Sequence, residues 1–431
     1  MRSGKFMKES MIESQKYQQK FFFLMSLLVI MYLRSPQIFN YGRFWAEEAN
    51  VYFVTAYCEN PIKMFFYVYW RTGYYYLFAN LASILSVHMV PIKWAPLVTT
   101  YLSAAVIVIL LGIILFNESY LFRTEASKYT ACFIALFAPS ATGEVWVNTI
   151  NSQVYFGMIA VVLLFINDDH ISRKLKAFYN TLLFISGLSG LYAVVLIPLY
   201  ALKTKYIKTK NSRIQLSILA VGTVIQGGIV VYSKYTSQLA ETKLRLDPLY
   251  EIMTQTLYFD LITPLIGNKY SLSHINSFVG MFGSELFAVV FVSLLLSCVT
   301  IGAYLSLYNN DRKIILSLYG IFFILVCFTN LGAHGSIGGR YSVFPGFIVM
   351  IILMVVSMHS VYPVIRICAG IILFSSLMNG VTMYNSLGDA HFFNSKCPTW
   401  ERQISEWEKN PNMPIKVWPF PGWQINIPSC K

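Results

Sequence analysis

Charged residues are scarce in this chain: they make up 12% of its 431 residues, whereas 56% are hydrophobic. That balance excludes an ordinary soluble globular protein. Apolar runs of about 15 to 25 residues recur along most of the chain, and runs of that length match a bilayer core about 30 Å thick. The runs lack the alternating pattern of barrel strands, so we predict an all-α, polytopic membrane protein.

Motifs for several kinds of chemistry are missing as well. There is no GKS/T phosphate loop, no Rossmann glycine fingerprint and no GxSxG, which leaves nucleotide-driven and serine-hydrolase chemistry without support. The six histidines show no HxxH or HExxH spacing, so we predict no metal site and no cofactor. The net charge of +13 is spread over loops and tails, which argues against nucleic acid as a partner.

The seven cysteines form no CxxC pair. Four of them fall inside apolar runs, where cysteine is usually a small buried hydrophobe: Cys132, Cys298, Cys327 and Cys368. Cys397 and Cys430 share a polar C-terminal tail. If that tail lies outside the cytoplasm, a disulfide between them can form, and the sequence leaves this open.

Apolar segments at eleven places are predicted to span the membrane. They are 20–34, 95–116, 129–143, 152–167, 177–188, 189–203, 214–232, 283–306, 313–330, 341–360 and 362–380. They define a transmembrane domain, 1–380, whose first outer loop is 35–94, and a C-terminal tail, 381–431. No fixed-period repeat is visible, so we predict one membrane domain with a tail.

Charge sets the predicted orientation. Residues 1–20 are basic and polar for too long to be a signal peptide, so we expect a retained cytoplasmic tail. With this end inside, the cytoplasmic segments carry a net charge of +11 and the remaining segments +2, as the positive-inside rule requires. The odd number of spans then puts the C-terminus outside.

Residues 73–90 are apolar enough to span, but counting them would place the basic loop 117–128 outside, so we predict a juxtamembrane or re-entrant helix at the outer interface.

Two adjacent carboxylates, Glu47 and Glu48, follow the first apolar segment in YGRFWAEEAN. A carboxylate at a membrane boundary is costly to desolvate unless it is paired, solvated or used, which favours a functional role. The alternative is an acidic first turn of an interfacial helix. Adjacent residues on a helix point about 100° apart, so only one of the pair can face a pocket squarely.

Two further predicted outer turns carry candidate binding residues. APSATGEVWVNTIN contains Glu144, Asn148 and Asn151, whose side chains suit hydrogen bonding to a polyhydroxylated ligand or, alternatively, cap the turn. The glycine-rich NLGAHGSIGGRYSVFPGF lets the backbone approach a ligand closely and contains Arg340. That arginine either grips a lipid-linked phosphate or extends to lipid headgroups.

The tail segment WPFPGWQINIPSC carries Trp418, Phe420 and Trp423 among prolines that exclude a helix. We expect these aromatic residues to anchor the tail at the membrane interface. The alternative is a lid that stacks on a sugar.

FWAEEANVYF, GEVWVNTINSQ and GGRYSVFPG, each at the outer end of a predicted span, resemble the GT-C superfamily of polytopic glycosyltransferases. Size and layout are most similar to bacterial and phage O-antigen-modifying glucosyltransferases of the serotype-conversion type. In that family the acidic pair is often Asp-Glu, and its first member is the catalytic carboxylate. That position corresponds to Glu47 here, and the change from Asp to Glu leaves open whether Glu47 or Glu48 acts.

The resemblance implies a bacterial inner-membrane enzyme. It would transfer a sugar, glucose by analogy, from polyprenyl (undecaprenyl) phosphate to O-antigen or a related lipid-linked polysaccharide on the periplasmic face. Implied partners are that donor, a lipid-linked or nascent O-antigen acceptor, membrane lipid, a donor-synthesising glycosyltransferase and a flippase. Glu47 or Glu48 would be catalytic, and the implied substrate-binding residues are Arg340, Tyr341, Glu144, Asn148, Asn151 and Arg43.

Three other functions stay open at this point. A transporter or flippase of lipid-linked saccharide would show internal repeats and ionisable residues near the bilayer midplane, whereas the acidic groups here collect at outer helix ends. An O-antigen polymerase or ligase relies more on arginine-rich outer loops. A non-catalytic membrane protein would leave Glu47, Glu144 and Arg340 unconnected in space, so an enzyme requires these three to share one site.

Overall fold

The chain is mainly helical in a computed structural model. The structure describes residues 2–138, 143–168, 171–240, 252–253, 256–263, 285–332, 339–386, 398–419 and 422–428. The α-helices in these residues are, in chain order, α1 (Arg2–Arg34), α2 (Pro36–Tyr41), α3 (Val54–Cys58), α4 (Pro61–Phe65), α5 (Leu77–His88), α6 (Ala95–Phe116), α7 (Glu125–Phe137), α8 (Ser152–Leu164), α9 (Arg173–Leu188), α10 (Ile197–Ile207), α11 (Lys210–Tyr235), α12 (Glu285–Leu305), α13 (Asn309–Gly332), α14 (Val343–His359), α15 (Pro363–Ser386) and α16 (Trp400–Trp407).

Short helical turns and four strands join these helices. The π-helical turns are Glu48–Phe53 and Leu257–Ile262. The 3₁₀ turns are Ile92–Trp94, Gly143–Val145, Val194–Leu196 and Gly339–Ser342. The strands form two antiparallel hairpins, β1 (Val68–Tyr69) with β2 (Tyr74–Tyr75) and β3 (Ile415–Val417) with β4 (Trp423–Ile425). The described part of the chain is therefore an all-α protein with two small hairpins.

Helices overlap all eleven places predicted to span, and α6 begins and ends at the predicted residues. In the described residues, five helical segments are long and apolar enough to cross a membrane: Ile92–Phe116, Lys210–Tyr235, Asp311–Thr329, Arg340–His359 and Pro363–Thr382. Length and composition therefore make the chain a multi-pass helical membrane protein. Eleven spans stay a prediction, because helices such as α8 and α10 have only 13 and 11 residues.

Two predicted segments have different bounds from those expected. The helix predicted at 189–203 begins at Ile197, because the preceding residues are used in a turn: the Ser189 hydroxyl accepts a hydrogen bond from the Phe78 amide at 3.0 Å, and Gly190 has φ +103°. Within the apolar segment 73–90, the helix α5 has 12 residues and is too short to span a bilayer. This length is consistent with the juxtamembrane helix predicted there.

The core of the fold lies around α8 and α14. All residues of α8 are buried except Gln153, and α14 packs against α7, α8, α13 and α15. The two central helices meet closely where Gly157 lies under Phe344, since a Cβ at Gly157 would come within 2.5 Å of the Phe344 ring. This core fixes both chain segments that precede α8 and α14, and these segments carry candidate site residues.

The C-terminal tail packs on the first loop, which we define as residues 35–94. Phe44 and Phe53 of that loop pack against Trp400, with ring centroids 5.0 and 5.5 Å from the indole. The Trp418 amide donates to the Phe44 carbonyl at 3.1 Å, and the Trp418 carbonyl accepts from the Ala46 amide. The tail is thus docked beside the acidic pair, and Phe420 lies outside the described residues.

A disulfide also fixes the first loop. Cys58 is disulfide-bonded, whereas Cys132, Cys298, Cys327 and Cys368 have free thiols. Cys397 and Cys430, the pair considered from the sequence, lie outside the described residues. The bond at Cys58 was not anticipated, because its neighbours in sequence give no pairing signal.

Candidate functional site

A cavity of about 460 Å³ opens between the first loop, the turn before α8 and the start of α14. This volume lies within the range of small-ligand sites. The polar wall includes Glu47 and Arg340, and apolar residues such as Leu191 and Val230 form another part of the lining. Six tyrosines also line the cavity: Tyr52, Tyr69, Tyr74, Tyr76, Tyr192 and Tyr341.

Glu47 lines the cavity and is partly buried. Its direction is set by Ala46, which has φ +42°, a left-handed conformation that few residues other than glycine adopt. The hydrogen bond from the Ala46 amide to Trp418 holds this turn. Among the described residues, no hydrogen bond or ion pair engages the Glu47 carboxylate. It is therefore available to a ligand in the cavity.

Glu48 is fully buried and serves a different purpose. One carboxylate oxygen accepts hydrogen bonds from the Thr149 amide at 2.8 Å and the Thr149 hydroxyl at 2.6 Å, and the other accepts from the Trp45 amide at 3.0 Å. Burial raises the pKa of Glu48, while these donors and the nearby Arg43 act in the opposite direction. Glu48 therefore ties the first loop to the turn before α8.

Arg43 also lies behind the cavity rather than on its wall, as far as the described lining residues show. It is 2% exposed, donates to the Trp146 carbonyl at 2.6 Å, and its guanidinium carbon lies 4.7 Å from the Trp45 ring centroid. Burial lowers the pKa of Arg43 to about 9, and the Glu48 charge opposes this shift. This position indicates that Arg43 supports the acidic turn, which carries Glu47 and Glu48. Direct contact of Arg43 with substrate stays a prediction.

The turn before α8 is closed by its own amide side chains. Asn148 is buried, and its side-chain oxygen accepts from the Asn151 amide at 3.0 Å. The Asn151 side chain donates to the Glu144 carbonyl at 3.0 Å, and the Asn148 side chain donates to the same carbonyl. Asn148 thus caps the turn, whereas Asn151 both caps the turn and lines the cavity.

Arg340 joins this turn to the start of α14. Its guanidinium forms an ion pair with Glu144 and donates to the Tyr341 hydroxyl at 3.1 Å. The Arg340 side chain is 33% exposed, and both Arg340 and Tyr341 line the cavity. Of the glycines predicted to let the backbone approach a ligand, Gly332 ends α13 and Gly339 begins the 3₁₀ turn, whereas 335 and 338 lie outside the described residues.

Tyr74 lines the cavity together with Glu47 and Arg340. Burial raises the pKa of Tyr74 to about 12; the charge of Arg340 lowers it and the charge of Glu47 raises it. The Gln153 side chain donates to its hydroxyl at 3.3 Å. Glu144 pairs with Arg340, and Glu47 and Arg340 line the same cavity, so these three residues belong to one site.

Several lining residues were not anticipated from the sequence. The hairpin and helix start at TGYYYLFAN supply tyrosines to the wall, although aromatic residues beside a membrane ordinarily lie at the level of the headgroups. Gln153 and Arg71 gave no signal, because single polar residues beside an apolar helix are common. Trp423 comes from the tail and reaches the cavity because the tail docks on the first loop.

Comparisons of the chain with protein-family models, curated proteins and solved structures gave no match. In the residues that the structure describes, no group of three or more His, Cys, Asp or Glu side chains could hold a metal ion.

Proposed function

We propose that the protein is a GT-C-like membrane glycosyltransferase that moves a sugar from polyprenyl phosphate to O-antigen or a related lipid-linked polysaccharide. One observation carries this proposal: the Glu47 carboxylate, which has no partner among the described residues, and Arg340 open onto the same tyrosine-lined cavity. Tyrosine walls suit a sugar, because an aromatic face packs on sugar C–H groups while the hydroxyl forms hydrogen bonds.

In the proposed reaction, Glu47 acts as general base. It takes the proton from an acceptor hydroxyl, whose oxygen attacks the anomeric carbon of the donor sugar. The new C–O bond forms as the bond to phosphate oxygen breaks, and its electron pair leaves with polyprenyl phosphate. A positioned base of this kind contributes about 10²–10⁴-fold to the rate.

The arginine would stabilise the leaving group. Polyprenyl phosphate leaves as a monoester with one more negative charge than the diester, and a fixed cation stabilises that charge as it develops. Arg340 suits this role because Glu144 and Tyr341 hold its guanidinium. Asn151 and the tyrosines would contact sugar hydroxyls, and Glu48, Asn148 and Arg43 would position the wall behind them.

The proposed location is the periplasmic face of the bacterial inner membrane, with eleven spans, the N-terminus in the cytoplasm and the C-terminus outside. The disulfide at Cys58 supports this orientation, because disulfides persist in oxidising compartments and Cys58 belongs to the same loop as Glu47. A lipid-phosphate donor fits that face, since it needs no nucleotide site. A separate enzyme would make the donor and a flippase would deliver it.

The proposal is tested by expressing the chain in an O-antigen-producing host and analysing the sugar composition and linkages of the surface polysaccharide. We expect a modified polysaccharide with the wild type and with Glu59→Gln, a control in the same loop whose carboxylate pairs with Lys63 at 3.0 Å. Glu47→Gln is expected to abolish the modification at normal protein levels. An unmodified polymer of altered length in the wild-type strain would instead favour a polymerase or flippase.

A further inference from the structure

A second arginine, Arg71, lines the same cavity as Arg340. It lies in the turn between β1 and β2 of the first loop, far in sequence from the start of α14. We infer that Arg71 is a second ligand for the lipid-linked phosphate, which it grips together with Arg340. This inference rests on the proposed function and adds a binding residue that the sequence did not single out.

The charges around the cavity support a role for Arg71. The charge of Arg340 is partly balanced by its ion pair with Glu144. Arg71 is exposed, and in the described part of the chain its guanidinium has no ion-pair or hydrogen-bond partner. It is therefore the cavity-lining arginine whose charge stays available to an anion. A phosphate monoester carries nearly two negative charges at neutral pH, more than the Arg340–Glu144 pair alone can balance.

The backbone around Arg71 is held firmly, although the side chain is exposed. The Arg71 carbonyl accepts from the Ala240 amide at 3.2 Å, and the Thr72 hydroxyl donates to the Tyr69 carbonyl at 2.7 Å. Next to it, the Trp70 ring packs 4.9 Å from the ring of Tyr232 at the end of α11. A fixed hairpin tip places the arginine at the cavity mouth without a large cost in backbone entropy on binding.

Gly73 completes this arrangement. It has φ +77°, and a Cβ there would lie 2.5 Å from the Leu239 side chain, which also lines the cavity. The left-handed φ favours glycine at this position, and the Leu239 side chain, in the segment after α11, lies against it. This contact joins the cationic tip to an apolar part of the wall, so a ligand with a phosphate and a hydrocarbon chain could use both.

The competing explanation is an arginine that reaches lipid headgroups or water and contributes nothing to the cavity. The two explanations differ in ligand binding, which can be measured without any transfer reaction. The probe is farnesyl monophosphate, with farnesol as the ligand that lacks the phosphate. The full-length protein is purified in a phosphate-free nonionic detergent, and binding is followed by tryptophan fluorescence, since Trp423 lines the cavity.

We expect Arg71→Gln to weaken farnesyl phosphate binding about tenfold or more, the loss typical of a charge-assisted hydrogen bond. The affinity of Arg71→Lys for farnesyl phosphate should lie between those of the wild type and Arg71→Gln, because lysine keeps the charge and loses the paired donors. Arg402→Gln is the matched control: Arg402 is exposed on α16 and pairs with Glu406 at 3.1 Å. Farnesol binding should be the same in all variants, and melting temperatures verify folding.

Two outcomes would overturn the inference, and they are distinguishable. If Arg71→Gln binds farnesyl phosphate as the wild type does while Arg340→Gln binds it weakly, Arg71 is not a ligand and the proposed function stands. If the wild type prefers farnesol or binds neither probe, the lipid-phosphate donor and the role of Arg71 both fail.

Discussion

At the scale of single residues, Glu47 and Glu48 are neighbours in sequence and differ in environment. Three donors converge on the buried oxygens of Glu48, whereas Glu47 lines the cavity without a partner among the described residues. The left-handed backbone at Ala46 accounts for this division, because it turns the chain immediately before the pair. The two carboxylates should therefore respond differently to the same substitution.

Glu48→Gln should destabilise the protein by about 1–3 kcal/mol, because the amide group would turn its own N–H atoms toward the N–H of Trp45 or the donors of Thr149. Thermal unfolding of the purified protein measures the effect. Glu47→Gln should leave the melting temperature unchanged. Equal melting temperatures for the wild type and Glu48→Gln would contradict the structural role given to Glu48.

Arg340→Lys should lower the transfer rate about tenfold or more while the protein still folds, because lysine cannot contact Glu144, Tyr341 and a phosphate through one planar group. The rate of polyprenyl phosphate release reports this change. Arg402→Lys, in a surface pair on α16, is the control and should have the wild-type rate. A wild-type rate for Arg340→Lys would show that any cation suffices there.

The sequence could identify the acidic pair and Arg340 as candidates, because charges beside long apolar runs are conspicuous. Helical geometry indicated that only one of the pair can face a pocket, and the resemblance to GT-C glycosyltransferases favoured Glu47. The tyrosines of the first loop could not be recognised, since aromatic residues at a predicted membrane boundary have an ordinary interfacial explanation. Arg71 was equally hidden, because only the folded hairpin brings it to the cavity.

At the scale of elements, the C-terminal tail supports the acidic turn. Its hairpin supplies Trp418, whose backbone holds Ala46, and Trp423, which lines the cavity. The helix α16 anchors this hairpin through Trp400, which packs on Phe44 and donates to the Ile92 carbonyl at 2.8 Å. Activity should therefore depend on a tail that is distant in sequence from Glu47.

Trp400→Ala should undock the tail and strongly reduce transfer, although Trp400 is not among the lining residues described. Loss of a large buried aromatic side chain costs about 3–5 kcal/mol, enough to release a small docked element. Limited proteolysis should then cleave the tail faster than in the wild type. Trp407→Ala, at the less buried end of the same helix, should change neither property. A protected tail in Trp400→Ala would contradict this dependence.

Helices could be predicted from apolar runs, as α6 and α14 illustrate, but the conformation of the segments that connect them could not. The break before α10 depends on a hydrogen bond between Ser189 and Phe78, residues more than a hundred positions apart. The docking of the tail likewise depends on contacts with the first loop that no local pattern encodes.

At the scale of the whole molecule, orientation decides whether the cavity can serve periplasmic chemistry. Alkaline phosphatase, which is active only outside the cytoplasm, should be inactive when fused at Lys208 and active when fused after Lys431. On non-reducing gels the wild type should show a disulfide that Cys58→Ser lacks, because the first loop would face an oxidising compartment. Activity of the Lys208 fusion would invert the proposed topology.

The central claim is that Glu47 is the base of a sugar transfer from polyprenyl phosphate. It is tested most directly by measuring polyprenyl phosphate release from undecaprenyl phosphate glucose by the purified protein in the presence of O-antigen acceptor. We expect acceptor-dependent release by the wild type and by Glu59→Gln, and a rate about 10²–10⁴-fold lower for Glu47→Gln at an unchanged melting temperature. Release by Glu47→Gln at the wild-type rate would contradict the claim.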